Sequence, residues 1–253
     1  MNAGVDALST SGLCKNFGAL PVVIDVNFVL PHGCRHALIG PNGSGKTTLI
    51  NLLGGALAPT AGKIYLEGDE ISNTTADQRV AAGLARTFQI NTLFPRLTPI
   101  EAVTMAVAQR RGIGASLWRS LKRSSDTIDE AYEILTQMHL AEDCDRPTAQ
   151  LAYGRQRLLE IALALAARPK VLLLDEPAAG VPQQQSGEIL SVISALPADI
   201  AVLFIEHDID LVFRFAERIT VLVAGRILCE GTPAEIAADP EVRRIYLGDE
   251  VHA

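Results

Sequence analysis

The sequence has no apolar stretch approaching the ~20 residues that a membrane-spanning helix requires. Its longest apolar runs, at 161–167 and 201–205, fall far short of that, so the chain is expected to be soluble or peripheral. Cysteine is sparse as well: Cys14, Cys34, Cys144 and Cys229 are widely scattered and show no metal-type pairing, which fits a reducing compartment. There is no surplus of positive charge. With 22 Lys and Arg against 29 Asp and Glu, the net charge of −7 disfavours broad attraction to nucleic acid, and no nucleic-acid partner is expected. The opening MNAGVDALST has neither a basic patch nor an apolar h-region, so a secretory signal is not expected and the cytoplasm is. No internal repeat or low-complexity tail interrupts the chain.

What the 253 residues do contain is hydrophobic side chain, 48% of the total, enough for one large domain or a domain with an inserted subdomain. PVVIDVNFVL alternates Val22, Ile24, Val26, Phe28 and Leu30 against a more polar face, the period of a half-buried strand. ALI then runs straight through GPNGSGKTT into LINLLGGAL, which reads as strand, loop, helix. IYLEGDEI, with Gly68 and Asp69 at its tip, suggests a hairpin. At Thr98 the character changes. TPIE offers an N-cap, a proline at the first helical position and a glutamate as box partner. A polar, basic connection follows, and residues 126–139 then set Ile128, Ala131, Leu135 and Met138 on one helical face. From Val171 the runs VLLL and AVLFI read as buried parallel strands. TPAE at 232 and the DP at 239–240 open short terminal helices.

Gly40, Pro41, Asn42, Gly43, Ser44, Gly45, Lys46 and Thr47 fit G-x-x-x-x-G-K-[ST] in a strand-to-helix setting. Glycines let backbone wrap phosphates, Lys46 offers a point charge to them, and the Thr47 hydroxyl suits Mg2+. VLLLDEP ends an apolar strand in two acids: Asp175 would hold Mg2+ through its water shell, and Glu176 would orient an attacking water. LFIEHD repeats that layout with His207, a residue type usually structural at a strand end that would here be able to reach a terminal phosphate. Gln89 follows LARTF at a strand end. LAYGRQR at 151–157 is a glycine turn opening a long helical pattern, a second place suited to an anion.

The order Lys46, Gln89, LAYG, Asp175 with Glu176, and His207 resembles the ATP-binding cassette (ABC) ATPases over nearly the whole chain. The resemblance implies an α/β fold: a P-loop NTPase, RecA-like core with an antiparallel β subdomain and an inserted helical signature subdomain. Core and β subdomain would occupy about 1–94 and 168–253, the helical insertion about 95–167. It accounts for two phosphate-seeking loops on one chain, because in this family the signature meets ATP held by the phosphate loop of a second subunit. ATP and Mg2+ are the implied cofactors. Catalytic roles fall to Glu176, His207, Gln89 and Lys46, and metal contacts to Thr47, Gln89 and Asp175. Nucleotide contacts extend to Thr48, to Phe17 as an adenine-stacking ring, and to Ala152, Tyr153, Gly154 and Arg155 of the signature. Residues 90–97, with Leu93 and Phe94, fall where the family docks a membrane subunit. Two departures stand out: Ala152 replaces the usual signature serine, and Pro182 replaces an aspartate that links the two sites.

RTFQ, LAYG, LEIALAL, DEPAAG, IEHD and the ending YLG are similar to the ATP-binding subunits of branched-chain amino acid importers, where LAYG is a familiar variant. That branch implies peripheral attachment at the cytoplasmic face of the membrane. It also implies transmembrane permease subunits, a second ATP-binding cassette in a homodimer or heterodimer, and indirectly a solute-binding protein. A lipopolysaccharide-export-type ATPase and an ATP-responsive binding subunit with weak hydrolysis are the alternative readings.

Overall fold

The computed structural model describes residues 5–87, 93–113 and 125–247, leaving aside the side chains of 183–185 and 247. The chain falls into two compact units, one of Met1–Leu84, Lys170–Glu176 and Pro197–Ala253, the other of Ala85–Pro169 and Pro177–Leu196.

The first unit holds two sheets. The antiparallel one contains β1 (Leu8–Phe17), β2 (Leu20–Val26) and β3 (Val29–Leu30). After β4 (Arg35–Ile39) and α1 (Lys46–Leu53), β5 (Ala61–Leu66) and β6 (Asp69–Glu70) complete it, in the order β2-β1-β5-β6 with β3 also on β1. Glu67 and Gly68, both at positive φ, form the β5–β6 turn, one residue earlier than expected. The expected strand from Pro21 to Leu30 is broken. Asp25 sits at φ 52 and pairing with β1 is irregular there, so the buried face is Val23 and then Val26, Phe28 and Leu30. Val22 and Ile24, which simple alternation assigns to that face, are only half-buried. An extra residue in one strand reverses the phase of every side chain before it.

The chain continues through α2 (Ala76–Ala82) and enters the second unit within β7 (Leu84–Arg86). There α3 (Pro99–Arg110) opens on the Thr98–Glu101 capping box, with Pro99 at its start. Next come α4 (Ser125–Gln137) and α5 (Tyr153–Leu165). Ala131, Leu135 and Met138 are fully buried as expected, whereas Ile128 is 39% exposed. Thr127 is buried in its stead: four residues before Ala131, it lies about 40° from it around the helix, against about 60° for Ile128, three residues before. Past β8 (Val171–Asp175), the second unit ends with α6 (Gln183–Ser194).

The first unit resumes with β9 (Ala201–Ile205), α7 (Ile209–Phe215), β10 (Arg218–Val223), β11 (Arg226–Gly231), α8 (Pro233–Ala238) and α9 (Pro240–Leu247). Strands β10, β4, β9 and β8 lie side by side and parallel, with β11 antiparallel at the β10 edge. Every residue of β4, β8 and β9 is buried, the composition of strands covered on both faces. Leu38, Leu49, Leu173 and Leu203 join Val26 and Leu66 of the antiparallel sheet in one core. In such a sheet ligands gather at the carboxyl ends of the strands. The carboxyl ends of the adjacent β4, β9 and β8 lead respectively to Gly40, Glu206 and Glu176.

Candidate functional site

The turn between β4 and α1 is fixed by backbone that only glycine tolerates well. Gly45 has φ 103, and a Cβ there would come within 2.7 Å of the Val22 carbonyl. Gly45 is also the N-cap of α1 and supplies no side-chain bond, so the N–H groups of the first turn point outward unsatisfied by any cap. The Ser44 hydroxyl is buried and has no hydrogen-bond partner among the described residues. Free backbone donors, a helix dipole and an unengaged hydroxyl together suit phosphate oxygens.

Lys46 lies at the centre of this turn, 6% exposed, with Nζ donating to the carbonyls of Gly40 at 2.7 Å and Pro41 at 3.1 Å. Burial pulls its pKa below the ordinary lysine value, opposed by the nearby carboxylates of Glu176 and Asp175. A buried ammonium solvated mainly by two carbonyls gains from an anion.

Asp175 ends β8 at 2% exposure, and Glu176 follows at φ 50, its N–H held by the Ile205 carbonyl at 3.1 Å. That left-handed turn, costly for a residue with a Cβ, swings the Glu176 side chain out of the strand line. Its Oε1 meets His207 Nε2 at 2.7 Å. Val22, Asn42 to Thr48, Glu176 and His207 line one open cleft of about 240 Å³. Four separate stretches of sequence thus converge on one cavity in a single unit. Val22, which strand periodicity assigned to the core, lines that cavity, and nothing in the sequence distinguishes it. Thr47 Oγ1 and the Asp175 carboxylate are hard oxygen donors. Among the described residues no group of three His, Cys, Asp or Glu gathers, so the set suits a cation that keeps water and phosphate ligands, as Mg2+ does.

Phe17 ends β1, 49% exposed, with Lys15 Nζ 5.3 Å from its ring centroid, and it is not among the residues lining the cleft. Gln89 lies outside the described residues, as do 90–92; Phe94 is 67% exposed.

The second unit carries the LAYG turn. Ala152 is the exposed N-cap of α5 and makes no side-chain cap bond, Tyr153 is 41% exposed and Gly154 is buried. Arg155 donates to the His139 carbonyl at 2.7 Å and lies 3.7 Å from Glu188. As at α1, the helix starts without a side-chain cap, leaving its first N–H groups available. Pro182 takes the N-cap position of α6.

Residues 23–179 match the family model described as ABC transporter, and residues 226–252 match that of the branched-chain amino acid ATP-binding cassette transporter. The chain is 38% identical over 251 residues to the high-affinity branched-chain amino acid transport ATP-binding protein BraF of Pseudomonas aeruginosa, covering 96% of this chain and 98% of the other. The ADP conformation of the ATP-binding cassette MJ1267 superposes with a TM-score of 0.83 at 31% identity, over 96% of this chain and 99% of that one. A dimeric post-hydrolysis state of the cassette MJ0796, bound to ADP and Pi, matches with a TM-score of 0.74 at 26% identity, over 89% and 98% of the two chains.

Proposed function

Because this chain belongs to the ABC transporter family and is an ABC transporter ATPase, we propose that it powers import of branched-chain amino acids or a related small solute from two shared ATP sites. The observation that carries the reading is the convergence of Lys46, Glu176 and His207 on one cleft of the first unit; the uncapped helix start at Tyr153, in the second unit, supports it as a second place for an anion.

The glycine turn at 40–45 and the first N–H groups of α1 wrap the phosphates, and Lys46 exchanges its two carbonyl partners for phosphate oxygens. Thr47 and Asp175 would hold Mg2+, whose charge offsets that building on the phosphates. Phe17 stacks on the adenine. Glu176 orients water toward the terminal phosphate, and His207, bonded to Glu176 at 2.7 Å, contacts that phosphate when it is present. Gln89, outside the described residues, would contribute to the metal and water shell.

In a head-to-tail pair, Ala152 to Arg155 of one cassette close on ATP held by the other, with Gly154 and the α5 N-terminus providing the donors. Similarity to a cassette that forms a dimer supports this arrangement. ATP shifts the pair toward closure only as far as it binds the closed form better than the open one. The energy reaches transmembrane permeases that pass the solute on from a binding protein; the match at 226–252 and the likeness to BraF support that branch. Among the described residues no helix is long and apolar enough to cross a membrane, in keeping with a peripheral subunit on the cytoplasmic face.

Affinity purification of the tagged chain from gently solubilised native membranes tests the branch. Two importer-type permeases and a second cassette are expected, and uptake of branched-chain amino acids should fall when the chain is deleted. Export permeases, or no membrane protein, would overturn the importer reading and leave the ATPase in place.

A further inference from the structure

The helix that opens at the LAYG turn carries an ion pair that phosphate binding does not call for. Tyr153, Arg157 and Glu160 share one face of α5 by their spacing of four and three residues. Arg157 donates from Nη1 to Glu160 Oε2 at 2.8 Å and from Nη2 to the Tyr153 hydroxyl at 2.7 Å, and its guanidinium carbon lies 5.1 Å from the Tyr153 ring centroid. Arg157 and Glu160 side chains are each 8% exposed. Burial pushes the Glu160 carboxyl above the usual carboxylate range, against the pull of Arg157. Its second oxygen, Oε1, is buried without a hydrogen-bond partner among the described residues. A buried pair of this kind is a weak source of stability, and hydrophobic residues of similar volume often serve as well. Its geometric effect is clearer: the guanidinium is fixed in one orientation and holds a half-exposed tyrosine at both its hydroxyl and its ring.

The Tyr153 ring is seated on Gly180. Gly180 has φ 74, and a Cβ built there would stand 3.3 Å from Tyr153 Cε1 and 3.6 Å from its hydroxyl oxygen. Gly180 belongs to the turn that follows Glu176, closed by Val181 N–H on the Ala178 carbonyl at 3.2 Å. The far end of that turn is tied to α6, where Ser186 Oγ donates at 3.3 Å to the Val181 and Pro182 carbonyls. At Pro182 the chain offers no side-chain polar group.

We infer that Arg157 is a positioning residue: anchored by Glu160, it clamps Tyr153 on Gly180, so that the signature turn and the loop following Glu176 are held as one piece. The inference rests on the shared-site reading above. When Ala152 to Gly154 engage ATP on the opposite cassette, the Tyr153 clamp carries that engagement to the loop beyond the catalytic carboxylate, in a chain that lacks the linking aspartate. Glycine is required at 180 both for its backbone and for the room that the ring occupies.

The experiment compares Tyr153→Phe, Arg157→Lys and the double change Arg157→Met with Glu160→Met in the full chain, assembled with its native complex. Steady-state ATP hydrolysis gives kcat, KM and the Hill coefficient. Melting temperature and binding of a fluorescent ATP analogue to the isolated chain serve as controls. Losing one charge-assisted hydrogen bond on the route should lower kcat roughly tenfold. The Hill coefficient should move toward one, while analogue affinity and melting temperature stay near the parent values. The double change removes the buried carboxylate together with its partner, so it folds whether or not the clamp matters. It stays slow if Arg157 positions Tyr153, and returns to the parent rate if the pair only supports the helix. Parent kcat and Hill coefficient in Tyr153→Phe and Arg157→Lys, or a fast double variant, would overturn the inference. ATP-dependent pairing of a Glu176→Gln chain separates the two levels. If that pairing persists while the clamp variants are unaffected, only the clamp falls; if pairing never occurs, the shared-site reading falls and the clamp with it.

Discussion

Arg79 is 1% exposed, and among the described residues no carboxylate bonds it. Its guanidinium instead donates to the Leu52 and Leu53 carbonyls at 2.6 Å each, to those of Ile71 at 2.8 Å and Ser72 at 3.3 Å, and to Thr74 Oγ1 at 3.1 Å. Leu52 and Leu53 are the last two residues of α1, the helix whose first residue is Lys46. A positive group at a helix C-terminus satisfies end carbonyls and complements the dipole. Hydrogen bonds to a charged donor contribute about 1.5–3 kcal/mol each. Burial of the guanidinium, which draws its pKa below the ordinary arginine value, cancels several of these. Arg79→Met removes the donors and strands buried carbonyls at about 1–3 kcal/mol each, a net cost of about 3–5 kcal/mol once the relieved burial of the charge is set against them. With ~2–4 °C of melting temperature per kcal/mol for a chain of this size, the melt should fall by roughly 10 °C. Thermal unfolding followed by far-UV circular dichroism is the assay. ATP affinity should weaken as well, because α1 carries Lys46 and Thr47 into the phosphate turn. A melting temperature within ~2 °C of the parent would refute the reasoning.

Two other outcomes follow from single side chains. His36 is fully buried in β4, with Nε2 on Thr220 Oγ1 at 2.8 Å, and that hydroxyl gives its proton to Glu230 Oε2 at 3.0 Å. The ring therefore donates from Nε2, and a second proton on Nδ1 would find no acceptor. Burial, only partly offset by Glu230, lowers its pKa from 6.5 to about 4. The unfolded chain then binds the extra proton first, so stability is complete above pH 6.5 and is lost as pH falls toward 4, by about 3 kcal/mol. Chemical denaturation at stepped pH should show that loss and show it flattened in His36→Phe; equal pH slopes would reject it. Ala152 has extended N-cap backbone, φ −58 and ψ 150, without a side-chain acceptor. Ala152→Ser should raise stability by about 0.5–2 kcal/mol through a bond to the α5 N-terminus, and an unchanged denaturation midpoint would count against it.

Local features were the most legible in the sequence. The boxes at Thr98 and Thr232 formed as expected because each is made by residues three apart. The same signal at Thr75 and Gln78 opens α2, although its short run of mostly polar residues offers little apolar period to draw attention. The phosphate turn was readable because glycine spacing reflects backbone demands at fixed positions. The strand phase around Asp25 was not readable, since a bulge depends on the partner strand. Arg79 reads as a surface helix charge until four carbonyls are brought to it, and Tyr153 gives no sign of Gly180, 27 residues away. The pairing of Glu176 with His207 needed the sheet order, which places β8 beside β9.

The shared nucleotide site is tested most directly by the mass of the Glu176→Gln chain in Mg2+ and ATP, measured by light scattering during size exclusion. The chain is run alone and with the second cassette of its native complex. The account predicts a two-cassette particle that requires ATP, reverts in ADP, and fails to form when Lys46→Ala is added. A single cassette under every condition, with ATP demonstrably bound, would contradict it.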